Sequence, residues 1–72
     1  MRHRVTLDTW LSKEDGGWHA VAISGLPYGV YISAGPVSTQ DAAIDQVIYR
    51  IHDRHLRIDK LVVYTNGQEA AS

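Results

Sequence analysis

Apolar and polar residues alternate from Arg4 to Ser12, RVTLDTWLS. Val5, Leu7, Thr9 and Leu11 fall on one parity, and Arg4, Thr6, Asp8, Trp10 and Ser12 on the other. A period of two carried by β-branched and aromatic residues predicts a half-buried strand. KEDGG (Lys13 to Gly17) predicts a turn, because Asp-Gly and Gly-Gly accept the positive φ of tight hairpins. Trp18 to Ser24 predicts a second strand, with His19, Val21 and Ile23 on one face and Trp18, Ala20, Ala22 and Ser24 on the other. GLPYG (Gly25 to Gly29) interrupts it, since Pro27 fixes its own φ and lacks a donor. Tyr28 to Ala34 predicts a third strand, ended by Gly35-Pro36.

The period then changes. Ala43, Ile44, Val47, Ile48 and Ile51 recur at three- and four-residue spacing, the stripe of an amphipathic helix. Ser38 or Thr39 is its cap, and Ser38 with Asp41 has capping-box spacing. Arg50, Arg54, His52 and His55 suit the negative end of the helix dipole. The helix is expected to fray between His55 and Arg57. KLVVYTNG (Lys60 to Gly67) predicts a short fourth strand, and residues 66–72 a loose tail. The predicted fold class is α+β: a three-stranded antiparallel meander, one helix on one face, and a short fourth strand at the edge or shared between subunits.

The helix must cover one face of the sheet. Apolar content selects the face of Val5, Leu7, Leu11, Val21, Ile23, Val30 and Ile32. Trp10, Trp18 and Tyr31 then share the uncovered face, with the two tryptophans as cross-strand or diagonal neighbours. An uncovered aromatic patch marks an interaction site. Leu61 and Val63 alternate with Val62 and Tyr64, so the fourth strand is apolar on both faces, which predicts burial on both sides or self-association.

Composition narrows the classes. With 72 residues, the chain is a single small domain, and with no cysteine it has no disulfide and no thiolate metal site. Small domains without staples gain stability by self-association, so a homodimer or higher oligomer is expected. Seven Lys and Arg against eight Asp and Glu lack the basic excess of many nucleic-acid binders. The apolar runs are too short for a bilayer, and no secretory leader opens the chain, which predicts a cytoplasmic protein with no membrane partner.

Candidate chemistry is sparse. His52 and His55 stand three apart, a spacing that can hold zinc, although dipole compensation explains them as well. By the stripe, His55 follows Ile51 and points toward the sheet. Arg50, Arg54, Arg57 and Lys60 form a local basic segment that, beside Trp10 and Tyr31, suits RNA contact by phosphate pairing and stacking. A solvated helix end is the simpler account. No nucleophile motif or phosphate-cradling loop is present. A metal-dependent hydrolase using His52 and His55 is the weakest of the alternatives, and no catalytic residue, cofactor or enzymatic activity is expected.

Asp15-Gly16-Gly17-Trp18, Ala20, Leu26-Pro27, and Thr39 with Ala43 give the chain a resemblance to the HicB-like antitoxin domain, over roughly Val5 to Ile51. Tyr28-Gly29 replaces the family's Gly-Cys after Leu-Pro, and Gln40-Asp41 replaces two glutamates at the helix start. The resemblance implies a truncated RNase H-like fold without RNase H chemistry. It also implies a non-catalytic module that covers the active site of a small, basic RNase toxin.

Overall fold

The computed structural model describes residues 2–66 and 68–69. Along the chain run β1 (Arg2–Leu11), β2 (Trp18–Ser24), β3 (Ser33–Val37), α1 (Gln40–Asp53), β4 (Arg57–Thr65) and a two-residue β5 (Gln68–Glu69). They form one mixed sheet in the order β3-β2-β1-β4-β5, with the helix on one face. The fold is α+β, as the change of period predicts. It is not a meander with an added edge strand. β4 runs parallel to β1 and makes β1 the centre of the sheet. Parallel neighbours need a crossover connection, and α1 supplies it.

Hairpin register decides which residues face the helix. The six-residue loop from Ser12 to Gly17 is closed by Ser12 N–H donating to the Gly17 carbonyl at 2.9 Å. This sets Leu11 opposite Trp18 and Trp10 opposite His19. Directly paired residues share a face. Trp18, Ala20 and Ala22 therefore lie on the helix side with Val5 and Leu7, while His19 and Val21 lie opposite. The expected assignment of β2 is thus reversed, and the two tryptophans are on opposite faces. Trp18 packs against the core, beside Val37. Ala20, Ala34 and Ala43 are all buried. These small side chains let the helix approach the sheet closely, so β2 turns its alanines, not its larger aliphatics, toward α1.

Ile23 escapes both faces. Thr6 pairs with Ser24 and Leu7 with Ala22, so Ile23 is the extra residue of a bulge, 56% exposed. Gly25 follows at φ +97°, where a Cβ would strike the Arg4 carbonyl, so only glycine fits. The third strand also shifts. Tyr28 and Tyr31 lie in an exposed loop, and Gly35-Pro36 sits inside β3 instead of ending it. Pro36 is tolerated because β3 is an edge strand and an outward position needs no donor. Gly35, at φ +111°, lets β3 approach to where a Cβ would lie 2.5 Å from the Trp18 carbonyl.

Thr39, not Ser38, caps α1: its hydroxyl accepts from Ala42 N–H at 3.1 Å. Ala43, Val47 and Ile51 are fully buried, with Ile44 packed against them; Ile48 is only half-buried at the flank. The helix ends in a Schellman motif. His55 N–H donates to the His52 carbonyl at 2.9 Å and Leu56 N–H to the Ile51 carbonyl at 3.4 Å. His55 takes the left-handed position at φ 61°. It therefore leaves the stripe and is exposed, contrary to the expectation that it points at the sheet.

A polar network anchors the start of α1. Thr9 is fully buried, and its hydroxyl donates to the Tyr64 carbonyl at 2.8 Å. Gln40 Nε2 donates to Thr9 Oγ1 at 3.0 Å and to Thr65 Oγ1 at 2.9 Å. Among the described residues no buried side-chain polar atom lacks a partner. Of the expected tail, Gln68 and Glu69 pair with Thr65 and Tyr64; residues 67 and 70–72 lie outside the described residues.

Candidate interaction surface

The face of the sheet opposite α1 is built from alternate residues of three strands. Register places His19 beside Trp10; Val21, Asp8 and Tyr64 in the next row; then Thr6 beside Val62; then Arg4 beside Lys60. The surface grades from an aromatic end to a cationic end. Trp10, Val62 and Tyr64, three of the residues singled out in the sequence, share this face, and all are half-buried by their neighbours. Trp18 and Tyr31 do not belong to it.

The aromatic end is preorganised. Trp10 and His19 stack with ring centroids 5.4 Å apart and planes inclined by 7°. His19 Nε2 donates to Asp15 Oδ2 at 2.9 Å, and Gly17 N–H donates to Asp15 Oδ1 at 2.8 Å. The Gly17 bond and then the His19 bond hold the Asp15 carboxyl below its ordinary value. The turn that reverses the chain thus also orients the imidazole that lies on Trp10. Sequence parity alone missed His19. The available signal was Asp15, four residues before it across a glycine turn.

Tyr31, 85% exposed, belongs to a second region. A groove of about 200 Å³ runs along the loop between β2 and β3, lined by Ile23, Leu26, Pro27, Tyr28 and Tyr31 among others. A neighbouring groove of about 300 Å³ is lined by Tyr31, Ile32, Ser33, Arg50, Asp53 and Arg54. The Arg50 guanidinium donates to the Ser33 carbonyl. Arg57 and Lys60 lie on β4, separated from β3 by β2 and β1. The basic segment is therefore divided: two arginines beside Tyr31, two cations on the other side of the sheet.

His52 and His55 are both exposed, and no cluster of three or more His, Asp or Glu that could hold a metal forms among the described residues. No described helix is long and apolar enough to cross a membrane. No family model matches the chain, and no curated protein or solved structure matches it.

Proposed function

We propose that this chain is a non-catalytic protein-binding module that presents the helix-free face of its sheet to a partner, as an antitoxin-like inhibitor does. The carrying observation is the Trp10–His19 stack, locked by Asp15 on a face that no described element covers. Rigid aromatic anchors bind at low entropic cost, and they dominate protein interfaces where water is excluded. The strand-strand-strand-helix-strand order and the Asp15-to-Trp18 turn support the HicB-like reading. A small, basic RNase is the partner that this reading names. The cationic end, Arg4 and Lys60, has the same sign as that partner, so the contact is placed at the aromatic end, away from it.

The test is co-expression with the proteins of neighbouring genes, followed by RNA cleavage assays on any RNase among them. The expected result is a stable complex in which cleavage is blocked. Trp10→Ala should weaken that complex without unfolding the domain. Full cleavage in the presence of excess chain would overturn the inhibitor reading. Unfolding of Trp10→Ala would show that the stack belongs to the structural core.

A second reading, single-stranded RNA binding, draws on Tyr31 lining one groove with Arg50 and Arg54. A stacking ring beside guanidinium groups is the usual platform for a nucleotide. Asp53 in the same groove and a net charge of −1 weigh against it. Salt-dependent RNA affinity that is lost in Tyr31→Ala would favour it.

A further inference from the structure

The groove between the start of β3 and the end of α1 holds charge that the fold does not use. It encloses about 300 Å³ and is lined by Tyr31, Ile32, Ser33, Arg50, Asp53 and Arg54. All six are described residues, and β3 is the edge of the sheet opposite to β5. Arg50 lies in the last turn of α1 and Arg54 is its C-cap. A spacing of four sets two side chains on one face of a helix. The terminal carbonyls of α1 do not occupy these cations: those of Ile51 and His52 accept from the backbone N–H groups of Arg54, His55 and Leu56. Asp53 is the carboxylate of the groove, and among the described residues it pairs with neither arginine. The Arg54 guanidinium has no hydrogen-bond or ion-pair partner among the described residues. Arg50 is held in place by donating to the Ser33 carbonyl. Ala22 N–H donates to the Ile32 carbonyl at 3.0 Å, so the main-chain groups of Ile32 face β2 and those of Ser33 face away. The Ser33 N–H thus points outward on the same side as its carbonyl, beside the Arg50 guanidinium. Tyr31 bounds the groove with a ring that is 85% exposed and on which no described ring stacks.

We propose that this groove binds a nucleoside monophosphate, with the phosphate between Arg50 and Arg54 and the base on Tyr31. The donors select the anion. A carboxylate satisfies one guanidinium fork with its two oxygens, whereas a terminal phosphate offers three acceptor oxygens and serves two forks at once. The outward Ser33 N–H is a further donor on the same side. The ring selects what the phosphate carries, since a flat exposed tyrosine beside cations stacks a base of any sequence. Asp53 accepts hydrogen bonds from ribose hydroxyls, a use for a carboxylate that a site for bare phosphate lacks. At about 300 Å³ the groove stands at the small end of ligand sites, which fits one nucleotide and not a strand. The site lies off the helix-free face and does not depend on the protein-binding reading. It rests on the same ring and cations as the RNA reading and differs in the ligand it names.

The test is calorimetric titration of the full chain with AMP, inorganic phosphate, adenosine and a short oligoadenylate at one ionic strength. AMP should saturate a single site and bind at least about tenfold tighter than phosphate or adenosine, each of which makes only part of the contacts. Arg54→Ala should weaken AMP by about tenfold or more, the worth of hydrogen bonds to a charged group. Arg54→Lys keeps the charge, loses the fork and should recover only part of that loss. Tyr31→Ala should weaken AMP and leave inorganic phosphate unchanged. Arg54 and Tyr31 are exposed, so these variants should melt like the wild type, whereas Arg50 is spared because it holds β3. AMP that does not saturate, or that binds Arg54→Ala as it binds the wild type, overturns the proposal. Inorganic phosphate binding as tightly as AMP overturns it in favour of a simple anion site. An oligoadenylate binding more than about tenfold tighter than AMP overturns it in favour of the RNA reading.

Discussion

Replacing Thr9 by valine tests the polar network that fixes the start of α1 against β1 and β4. The change keeps the shape of a fully buried side chain and removes its hydroxyl. Two bonds are lost: the one donated to the Tyr64 carbonyl and the one accepted from Gln40. Gln40 keeps its bond to Thr65, so its amide is only partly stripped. The Tyr64 carbonyl loses this 2.8 Å donor and keeps the ladder bond from Thr9 N–H that the parallel pairing supplies, so the loss is that of two side-chain hydrogen bonds in a buried setting. A net hydrogen bond is worth about 0.5–1.5 kcal/mol, so the expected loss is about 1–3 kcal/mol, large for a domain of this size. Urea denaturation should show a lower midpoint at unchanged m-value, because the surface exposed on unfolding does not change. A double-mutant cycle with Gln40→Ala should reveal coupling, since the two residues share a bond. A Thr9→Val variant within about 0.5 kcal/mol of wild type, or strict additivity with Gln40→Ala, would refute this reasoning.

Val47→Asp should unfold the domain, because it buries an unpaired carboxylate, whereas Ile48→Asp, at the half-buried flank, should lower the melting temperature and leave a cooperative transition; circular dichroism melts separate the two. His55→Gly should stabilise the fold by up to about 1–2 kcal/mol, the cost of a left-handed L-residue; no gain in a denaturation midpoint would mean that the histidine side chain compensates its backbone. The Asp15 carboxyl is held below its ordinary 3.8 in the folded state. Its contribution is fully present above that value and is lost as pH falls through the lowered folded value, so the stability gap between wild type and Asp15→Asn should narrow with acidification below 3.8. A gap that stays constant across that range would show that the carboxylate's charge plays no part.

The sequence by itself determined β1, β2, the helix, the apolar run of β4 and one half of the core, whereas the strand it placed at Tyr28 to Ala34 lies at Ser33–Val37. The alternation of Val5 and Leu7 and the Ala43-Val47-Ile51 spacing each record a residue's neighbours on its own element, and such information survives in a linear pattern. The Asp15-Gly16-Gly17 turn was legible for the same reason. The face of β2 was not. Val21 and Ile23 outweigh Ala20 and Ala22 in apolar content, but the side they take depends on which residue of β1 they meet, and that is set by the loop from Ser12 to Gly17 closing as a unit. The place of β4 was equally hidden. LVVYT reads the same as an edge or as a neighbour of the central strand, and the choice depends on where the crossover delivers the chain. Trp10 and His19 became a stack, and Thr9, Gln40 and Thr65 a network, only once residues far apart in sequence were brought into register. Local periodicity encodes what an element buries; only tertiary pairing decides what it buries it against.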